Sequence, residues 1–241
     1  MPDDVCSLGL EDQDRINQNL GGGIPKGSMV IIEGEYGAGK SVLTERFAYG
    51  FCDEGYNVSF LSTEKKVPDF IQQMNSLGYD VVDYLLDEQL FFLNAHVDTK
   101  EDEKRDLISK LTQANTMWQA DIIIIDRLDA ILSNDETFDK LSKTERRQLI
   151  LKLISFFRDI TSQGKTLVLT IDPSELSDHV LSPFRSIAAI HLNITMSELG
   201  KEVRRTINVN RFSGMSEEVD DKIGFSVRPG SGLVVDSSTV A

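Results

Sequence analysis

The chain has 241 residues, of which 40% are hydrophobic, and it carries a formal net charge of −14 with a pI of about 4.6. This length suits one α/β domain with a broad sheet, and the apolar content can supply a core. The acidity argues against non-specific nucleic-acid binding and against direct docking on an anionic membrane, because both need a basic surface. The two cysteines, Cys6 and Cys52, form no CxxC pair, so they fit a reducing compartment and suggest no zinc site.

The sequence indicates neither secretion nor insertion into a membrane. The beginning of the chain is acidic and lacks the basic and apolar stretches of a signal peptide. Apolar runs such as 122–125 are far too short to cross a bilayer. We therefore expect a cytoplasmic protein without direct membrane insertion, which reaches any membrane location through a partner.

Strands and helices alternate over the first three quarters of the chain. Short apolar runs predict buried strands, and apolar residues at helical spacing predict amphipathic helices. In chain order, strands are predicted at 29–32, 58–61, 90–93, 122–125 and 167–169. The intervening helices are predicted at about 42–51, 70–77, 107–117 and 143–163. This alternation predicts a parallel sheet covered by helices on both faces.

Beyond residue 184 the pattern changes to strands alone. They are predicted at about 187–195, 204–210, 225–227 and 233–235. Such consecutive strands favour an antiparallel extension of the sheet. The sequence therefore predicts a single α/β domain over 1–241, with a mostly parallel central sheet and short polar tails at about 1–18 and 236–241.

The strongest motif is a glycine-rich loop, GxxxxGKS, between the first predicted strand and the following helix. The predicted nucleotide-binding residues are Gly34, Glu35, Tyr36, Gly37, Ala38, Gly39, Lys40, Ser41 and Val42. The glycines let backbone N–H groups turn toward a phosphate chain, and the helix N-terminus adds its positive end. Lys40 is expected to reach the β- and γ-phosphates and Ser41 to join the Mg²⁺ shell. An ordinary glycine-rich turn would not require this strand and helix, so the predicted ligands are ATP and Mg²⁺.

Two carboxylates follow predicted strands and are candidates for the chemistry around the phosphates. Asp126 ends an apolar strand that we expect beside the P-loop strand, where it could hold Mg²⁺ through water. The alternative is that Asp126 only caps the next element. Glu64 follows the second strand and could orient the attacking water. The alternative is a solvated side chain that pairs with Lys65 or Lys66 and is weakened as a base.

These motifs resemble the RecA-like ATPases of the KaiC type over nearly the whole chain, from Leu20 to about Val235. The markers are Gly-Gly-Ile-Pro-Lys-Gly-Ser at 22–28, Phe-Leu-Ser-Thr-Glu at 60–64, Ser-Leu-Gly-Tyr-Asp at 76–80 and Asn-Val-Asn-Arg-Phe at 208–212. The segments 62–64 and 72–80 are similar, more narrowly, to the ATP-binding subunits of the archaellum, the archaeal swimming motor. The resemblance implies a RecA-like fold and ATP binding.

The sequence departs from active KaiC-type domains at two positions. Those domains have two adjacent glutamates after the second strand, whereas Glu64 is followed here by Lys65. They also direct a lysine and an arginine, two residues apart, toward the γ-phosphate of the neighbouring subunit, and Arg211 and Ser213 take these places here. An arginine finger can contribute about 10³–10⁵ in rate. The resemblance therefore implies ATP as a conformational ligand with little or slow hydrolysis.

The resemblance also implies partners and leaves three hypotheses for function. The implied partners are the secretion-type motor ATPase FlaI, the membrane protein FlaJ, a ring scaffold and further copies of the chain in an ATP-dependent, hexameric ring. The first hypothesis is a nucleotide-controlled assembly subunit of the archaellum motor, and the second is a KaiC- or RecA-like ATPase with its own turnover. The third, a recombinase acting on DNA, is disfavoured by the acidic charge.

Overall fold

The computed structural model describes residues 4–95, 106–199 and 202–236, so residues 237–241 of the second predicted tail lie outside it. The elements are β1 (Val5–Cys6), α1 (Ile16–Asn19), β2 (Ile24–Pro25), β3 (Met29–Gly34), α2 (Lys40–Asp53), β4 (Val58–Ser62), α3 (Val67–Ser76), α4 (Val82–Leu86), β5 (Leu90–Asn94), α5 (Leu107–Gln113), β6 (Ile122–Asp126), α6 (Leu128–Ser133), α7 (Glu136–Lys140), α8 (Lys143–Ser162), β7 (Thr166–Ile171), α9 (Asp178–Ile187), β8 (Ile190–Leu199), β9 (Glu202–Phe212), β10 (Lys222–Arg228) and β11 (Gly232–Val235).

The larger sheet formed by the described strands has the order β11-β10-β9-β8-β3-β7-β6-β4-β5. From β8 to β5 each strand runs parallel to its neighbour. Beyond β8 the strands β9, β10 and β11 continue the sheet in antiparallel fashion. The predicted fold class, a mostly parallel sheet with a C-terminal antiparallel extension, is confirmed.

The central strands are apolar throughout because each of their faces is covered. Ile122 and Ile124 on β6 belong to the core layer that contains α2 and α3. The alternate residues Ile123 and Ile125 belong to the layer beneath α5, α6 and α8. Successive side chains of a strand point to opposite faces. A strand buried on both faces must therefore be a continuous apolar run, as the sequence indicated.

The order of the strands corrects one sequence-based expectation. The strand that ends at Asp126 does not lie beside the P-loop strand, because β7 separates them. Leu169 of β7 pairs with Ile31 of β3 on one side and with Ile125 of β6 on the other. The strand before Glu64, β4, is a further step away. After β6 the chain crosses one face of the sheet as α8 and returns in the gap, a connection that local sequence patterns do not encode.

The described part of the predicted first tail, residues 4–18, is packed on the domain rather than a polar tail. Leu8 and Ile16 are fully buried in the same core layer as α2. The fully buried guanidinium of Arg46, on α2, donates to Asp14 at 2.6 and 3.1 Å. It also donates to the carbonyl oxygens of Leu8 and Gly9, at 2.6 and 2.8 Å. The polar composition that suggested a tail therefore includes a buried charge pair that holds this segment on α2.

Candidate nucleotide-binding site

The glycine-rich loop connects the end of β3 at Gly34 to the beginning of α2 at Lys40. Gly39 precedes the helix with a φ of +102°, a left-handed conformation that glycine adopts at low cost. A Cβ atom at Gly39 would lie only 3.2 Å from the Phe225 ring and 3.3 Å from Arg205. Glycine is therefore favoured at this position for two reasons, its left-handed backbone angle and the close approach of β9 and β10.

Lys40 is held inside the loop at the first turn of α2. Its side chain is 7% exposed, and Nζ donates to the carbonyl oxygens of Gly34 at 2.5 Å and Glu35 at 2.9 Å. The carboxylate of Asp172 lies 3.9 Å from Nζ. Burial lowers the pKa of Lys40, while the charge of Asp172 opposes this shift. The ammonium group is thus fixed inside the loop. The sequence motif predicts phosphate oxygens at the same place.

Asp126 meets the P-loop helix although its strand is not adjacent to β3. The Ser41 hydroxyl donates to Asp126 Oδ1 at 3.2 Å, and the Thr170 hydroxyl, on β7, donates to the same oxygen at 2.8 Å. The contact is possible because α2 packs across both β7 and β6. The structure therefore brings together the two residues, Ser41 and Asp126, that the sequence predicts around Mg²⁺.

The donor set fits a magnesium ion carried by a nucleotide rather than a metal site made by protein alone. The described residues include no group of three or more His, Cys, Asp or Glu side chains that could hold a metal. Mg²⁺ usually keeps several waters and takes one or two protein oxygens together with substrate phosphates. Burial raises the pKa of Asp126, and Lys65 with the bonds from Thr170 and Ser41 opposes this. A buried carboxylate of this kind is stabilised by a nearby cation.

Glu64 lies at the same edge of the sheet, and its partner is an arginine rather than the neighbouring lysine. Its Oε1 accepts a hydrogen bond from Arg127 Nη1 at 2.5 Å, and its side chain is 43% exposed. Lys65 instead contacts the buried carboxylate of Glu45 on α2. The alternative pairing of Glu64 with Lys65 is not observed, because Glu45 on α2 binds the lysine and Arg127 after β6 binds the glutamate.

Arg211 and Ser213 lie away from this site in their own chain. The register of β9 places Arg211 near the beginning of β3, the end of the sheet opposite Gly34. Its Nη1 donates to the carbonyl oxygens of Arg185 and Ala188, both at 2.9 Å. Contact between Arg211 and a nucleotide would therefore require the site of a second copy, and its role stays a prediction.

A cleft of about 330 Å³ lies in front of the P-loop. It is lined by Tyr36, Gly37, Gly39, Lys40, Ser41, Val42, Glu64, Arg127, Arg205 and Val227. The sequence did not single out Arg127, Arg205 or Val227. The position of Arg127 directly after Asp126 was a usable signal, whereas only the tertiary structure brings β9 and β10 to the cleft. Arg205 Nε is buried and makes no hydrogen bond to the other described residues.

The fold and the loop define a RecA-like P-loop nucleotide-binding protein. The model of the KaiC family of ATPases matches residues 6–239. The archaeal flagellar ATP-binding proteins FlaH of Methanocaldococcus jannaschii and Methanococcus voltae are each 31% identical to the chain over 95% of its length, and they are covered over 95% and 96% of their own. The chain therefore belongs to the KaiC-type ATPases and, within them, to the FlaH family.

Solved structures agree with this assignment. The crystal structure of the flagellar accessory protein FlaH from Methanocaldococcus jannaschii matches with a TM-score of 0.87 and 29% identity, over 97% of this chain and 100% of that one. The KaiC-like protein PH0186 from Pyrococcus horikoshii matches with a TM-score of 0.70 and 22% identity, over 96% and 98% of the two chains. The second match shows the fold alone. The resemblance drawn from the sequence motifs is confirmed.

Proposed function

We propose that the chain is an ATP-binding regulatory or assembly subunit of the archaellum motor, in which Mg·ATP acts as a conformational ligand and is hydrolysed slowly. One observation carries the proposal: Lys40 and Ser41 line the cleft and Ser41 donates to Asp126, whereas the residue after Glu64 is a lysine that contacts Glu45. The archaellum context rests on the names of the FlaH relatives.

In the proposed complex, Mg·ATP lies across the mouth of the P-loop. Lys40 would contact the β- and γ-phosphates, and Ser41 and Asp126 would hold Mg²⁺. The adenine ring of the nucleotide would lie toward β9 and β10, where Val227 offers an apolar surface and Arg205 a planar guanidinium. A guanidinium stacks well on an aromatic ring. Mg²⁺ supplies charge neutralisation of the phosphates, and the residues of the chain supply position.

Slow hydrolysis follows from the partners that the two residues after β4 have in this structure. A base must be free to orient or deprotonate water near the γ-phosphate. Without nucleotide, Glu64 is paired with Arg127. The next residue is Lys65, which contacts Glu45 on α2, so the second glutamate of active KaiC-type domains is replaced by a lysine. The remaining trans cation, Arg211, is remote from its own cleft and requires a neighbouring copy.

Replacing Asp126 with asparagine is expected to reduce the gain in ATP affinity that Mg²⁺ provides by about tenfold. Affinity without Mg²⁺ should change by less than about threefold, because the phosphate loop is untouched. Titration of ATP with and without Mg²⁺ measures both quantities. Asp121→Asn is a matched control, since Asp121 precedes the same strand at its other end and its carboxylate accepts only from Asn57 among the described residues. An equal response to Mg²⁺ in Asp126→Asn and the unmodified protein would make Asp126 a structural cap.

Bound ATP is expected to persist for many minutes and to promote self-association or docking on the motor ATPase, FlaI. ADP should do so less well, since only a ligand that prefers one state can shift the population toward it. Light scattering, partner pull-down and phosphate release, each with ATP, with ADP and without nucleotide, measure the effect. Identical assembly in the three conditions would remove the switch.

A working ATPase is the second candidate function, and the position of Glu64 favours it. Its carboxylate is 43% exposed and lines the cleft, so one rotation away from Arg127 would free it. A turnover of about one per second or faster, typical of working enzymes, would support this candidate. Single-turnover assays with Mg·ATP therefore separate it from the first.

The proposed partners are FlaI, the membrane protein FlaJ, a ring scaffold and further copies of the chain. None of the described helices combines the length and apolarity that a membrane crossing needs. We propose that the protein is held at the membrane motor through these partners. Co-purification with FlaJ in membranes that contain or lack FlaI tests the proposal. Membrane recovery that needs neither partner would contradict it.

A further inference from the structure

Arg127 has an unusual backbone conformation at the edge of the cleft. Its φ is +69°, in the left-handed region that non-glycine residues rarely occupy. Its backbone N–H donates to the Thr170 hydroxyl at 2.7 Å, and that hydroxyl in turn donates to Asp126 at 2.8 Å. Strained backbone persists where its surroundings determine it, and it concentrates at functional sites. The bond network around the candidate metal ligand thus also sets the direction of the Arg127 side chain.

The two edges of the Arg127 guanidinium have different partners. Nε and Nη2 both donate to Asp129 Oδ2, at 3.2 and 2.9 Å, and Asp129 is fully buried. Nη1 donates to Glu64, which is 43% exposed, and Arg127 itself is 20% exposed and lines the cleft with Lys40. One edge is therefore anchored on a buried carboxylate. The other edge faces the cleft and holds a partner that can move.

The buried anchor is joined to the P-loop. Asp129 Oδ1 accepts a hydrogen bond from the backbone N–H of Asp172 at 3.0 Å, and the Asp172 carboxylate lies 3.9 Å from Lys40 Nζ. Arg127 is thus connected to the phosphate-binding lysine through two carboxylates. Asp129 binds Arg127 and the backbone of Asp172, and the Asp172 carboxylate faces Lys40. This arrangement holds a second cation at a set position in the cleft.

We propose that Arg127 is the residue by which this cleft distinguishes ATP from ADP, through exchange of Nη1 between Glu64 and the γ-phosphate. The inference rests on the proposed function, because it assumes that the nucleotide occupies this cleft. A phosphate group and a carboxylate are both good acceptors for a guanidinium edge, and the phosphate carries more charge. Only ATP presents the γ-phosphate. When Nη1 moves to it, Glu64 loses its partner. Slow hydrolysis in the ATP-bound state then rests on Lys65, which occupies the place of a second glutamate, and on the distance of Arg211 from its own cleft.

The consequence is a signal in the segment that follows β4. Glu64 is adjacent to Lys65, which is tied to α2 through Glu45, and the helix α3 begins at Val67. Release of Glu64 therefore acts on a short loop that is restrained at its next residue. Binding of the γ-phosphate thus changes the contacts of the loop before α3, without any chemical step.

The test compares the affinities for Mg·ADP and for a Mg-bound, non-hydrolysable ATP analogue by calorimetry. Arg127→Gln is expected to weaken binding of the ATP analogue about tenfold to a hundredfold, the range for a lost charge-assisted hydrogen bond. ADP affinity should change by less than about twofold. Arg127→Lys should retain part of the preference, because it keeps a charge but not the anchored plane. Arg185→Gln is the matched control, since Arg185 bonds to Glu33 through Nε and Nη2 outside the cleft.

A purely structural role of Arg127 gives a different result. Equal losses for the two nucleotides, or no loss for either, would overturn the inference even if the variant is less stable. If Arg127→Gln does not fold, Arg127→Lys decides, because an unchanged ATP preference in that variant would also contradict the exchange of an anchored guanidinium edge. Failure of the unmodified protein to bind either nucleotide would instead overturn the proposed function.

Freeing the same guanidinium edge from the other side gives an independent readout. Glu64→Gln removes the charge that competes for Nη1, so the preference for the ATP analogue over ADP should rise by a fewfold. Combining Glu64→Gln with Arg127→Gln should abolish that gain, because the competing pair no longer exists. A gain that persists in the double variant would show that Glu64 acts on the nucleotide without Arg127.

Discussion

Replacing Lys40 with alanine is expected to abolish measurable ATP binding while the fold remains intact. Lys40 Nζ is fixed inside the loop by the carbonyl oxygens of Gly34 and Glu35. Two charge-assisted hydrogen bonds to phosphate, at about 1.5–3 kcal/mol each, correspond to a loss on the order of 10²–10⁴ in affinity. Titration with a fluorescent ATP analogue measures the loss, and circular dichroism checks the fold.

The matched control for this variant is Lys165→Ala. Lys165 Nζ also donates to two carbonyl oxygens, of Gln119 at 2.6 Å and of Ala120 at 2.8 Å. It precedes β7 at the end of the sheet opposite the P-loop, so its removal should leave ATP affinity unchanged. A folded Lys40→Ala variant with the affinity of the unmodified protein would refute the assignment of the loop. Equal losses in the two variants would indicate a general effect of losing a lysine.

Replacing Arg46 with alanine is expected to destabilise the protein by about 3–5 kcal/mol, because the buried Asp14 carboxylate would lose its charged partner. Arg46 is fully buried and holds the segment around Leu8 and Gly9 on α2. For a chain of this size, such a loss corresponds to a decrease in melting temperature of roughly 6–20 °C. Thermal and urea denaturation measure it directly.

Arg146→Ala is the control for the buried arginine. Arg146 also donates to two carbonyl oxygens, of Phe138 at 2.9 Å and of Asp139 at 2.6 Å, but its side chain is 37% exposed. Its loss should cost about 1 kcal/mol or less, as for other surface ion pairs and hydrogen bonds. If the two arginine variants were equally stable, the first residues of the chain would be only loosely held on α2.

Several features of the molecule could be predicted from local sequence because they depend on neighbours in the chain. The apolar runs of the central strands, the strand–loop–helix context of the P-loop and the change to consecutive strands after residue 184 all have this character. Their signals are periodicity and turn chemistry within about ten residues. The same applies to the motifs at 22–28 and 60–64, which carried the resemblance to the KaiC-type family.

The tertiary structure decided which charged groups meet, because pairing depends on strand order and on helices that are distant in sequence. Insertion of β7 between β3 and β6 brings Thr170 to Asp126, and the turn after β6 gives Glu64 an arginine partner. Lys65 is adjacent to Glu64 in the chain, yet it contacts Glu45 on α2. A charged side chain pairs with the opposite charge that the packed backbone places within a few ångströms, and a buried carboxylate gains most from such a partner. Sequence proximity does not determine that distance.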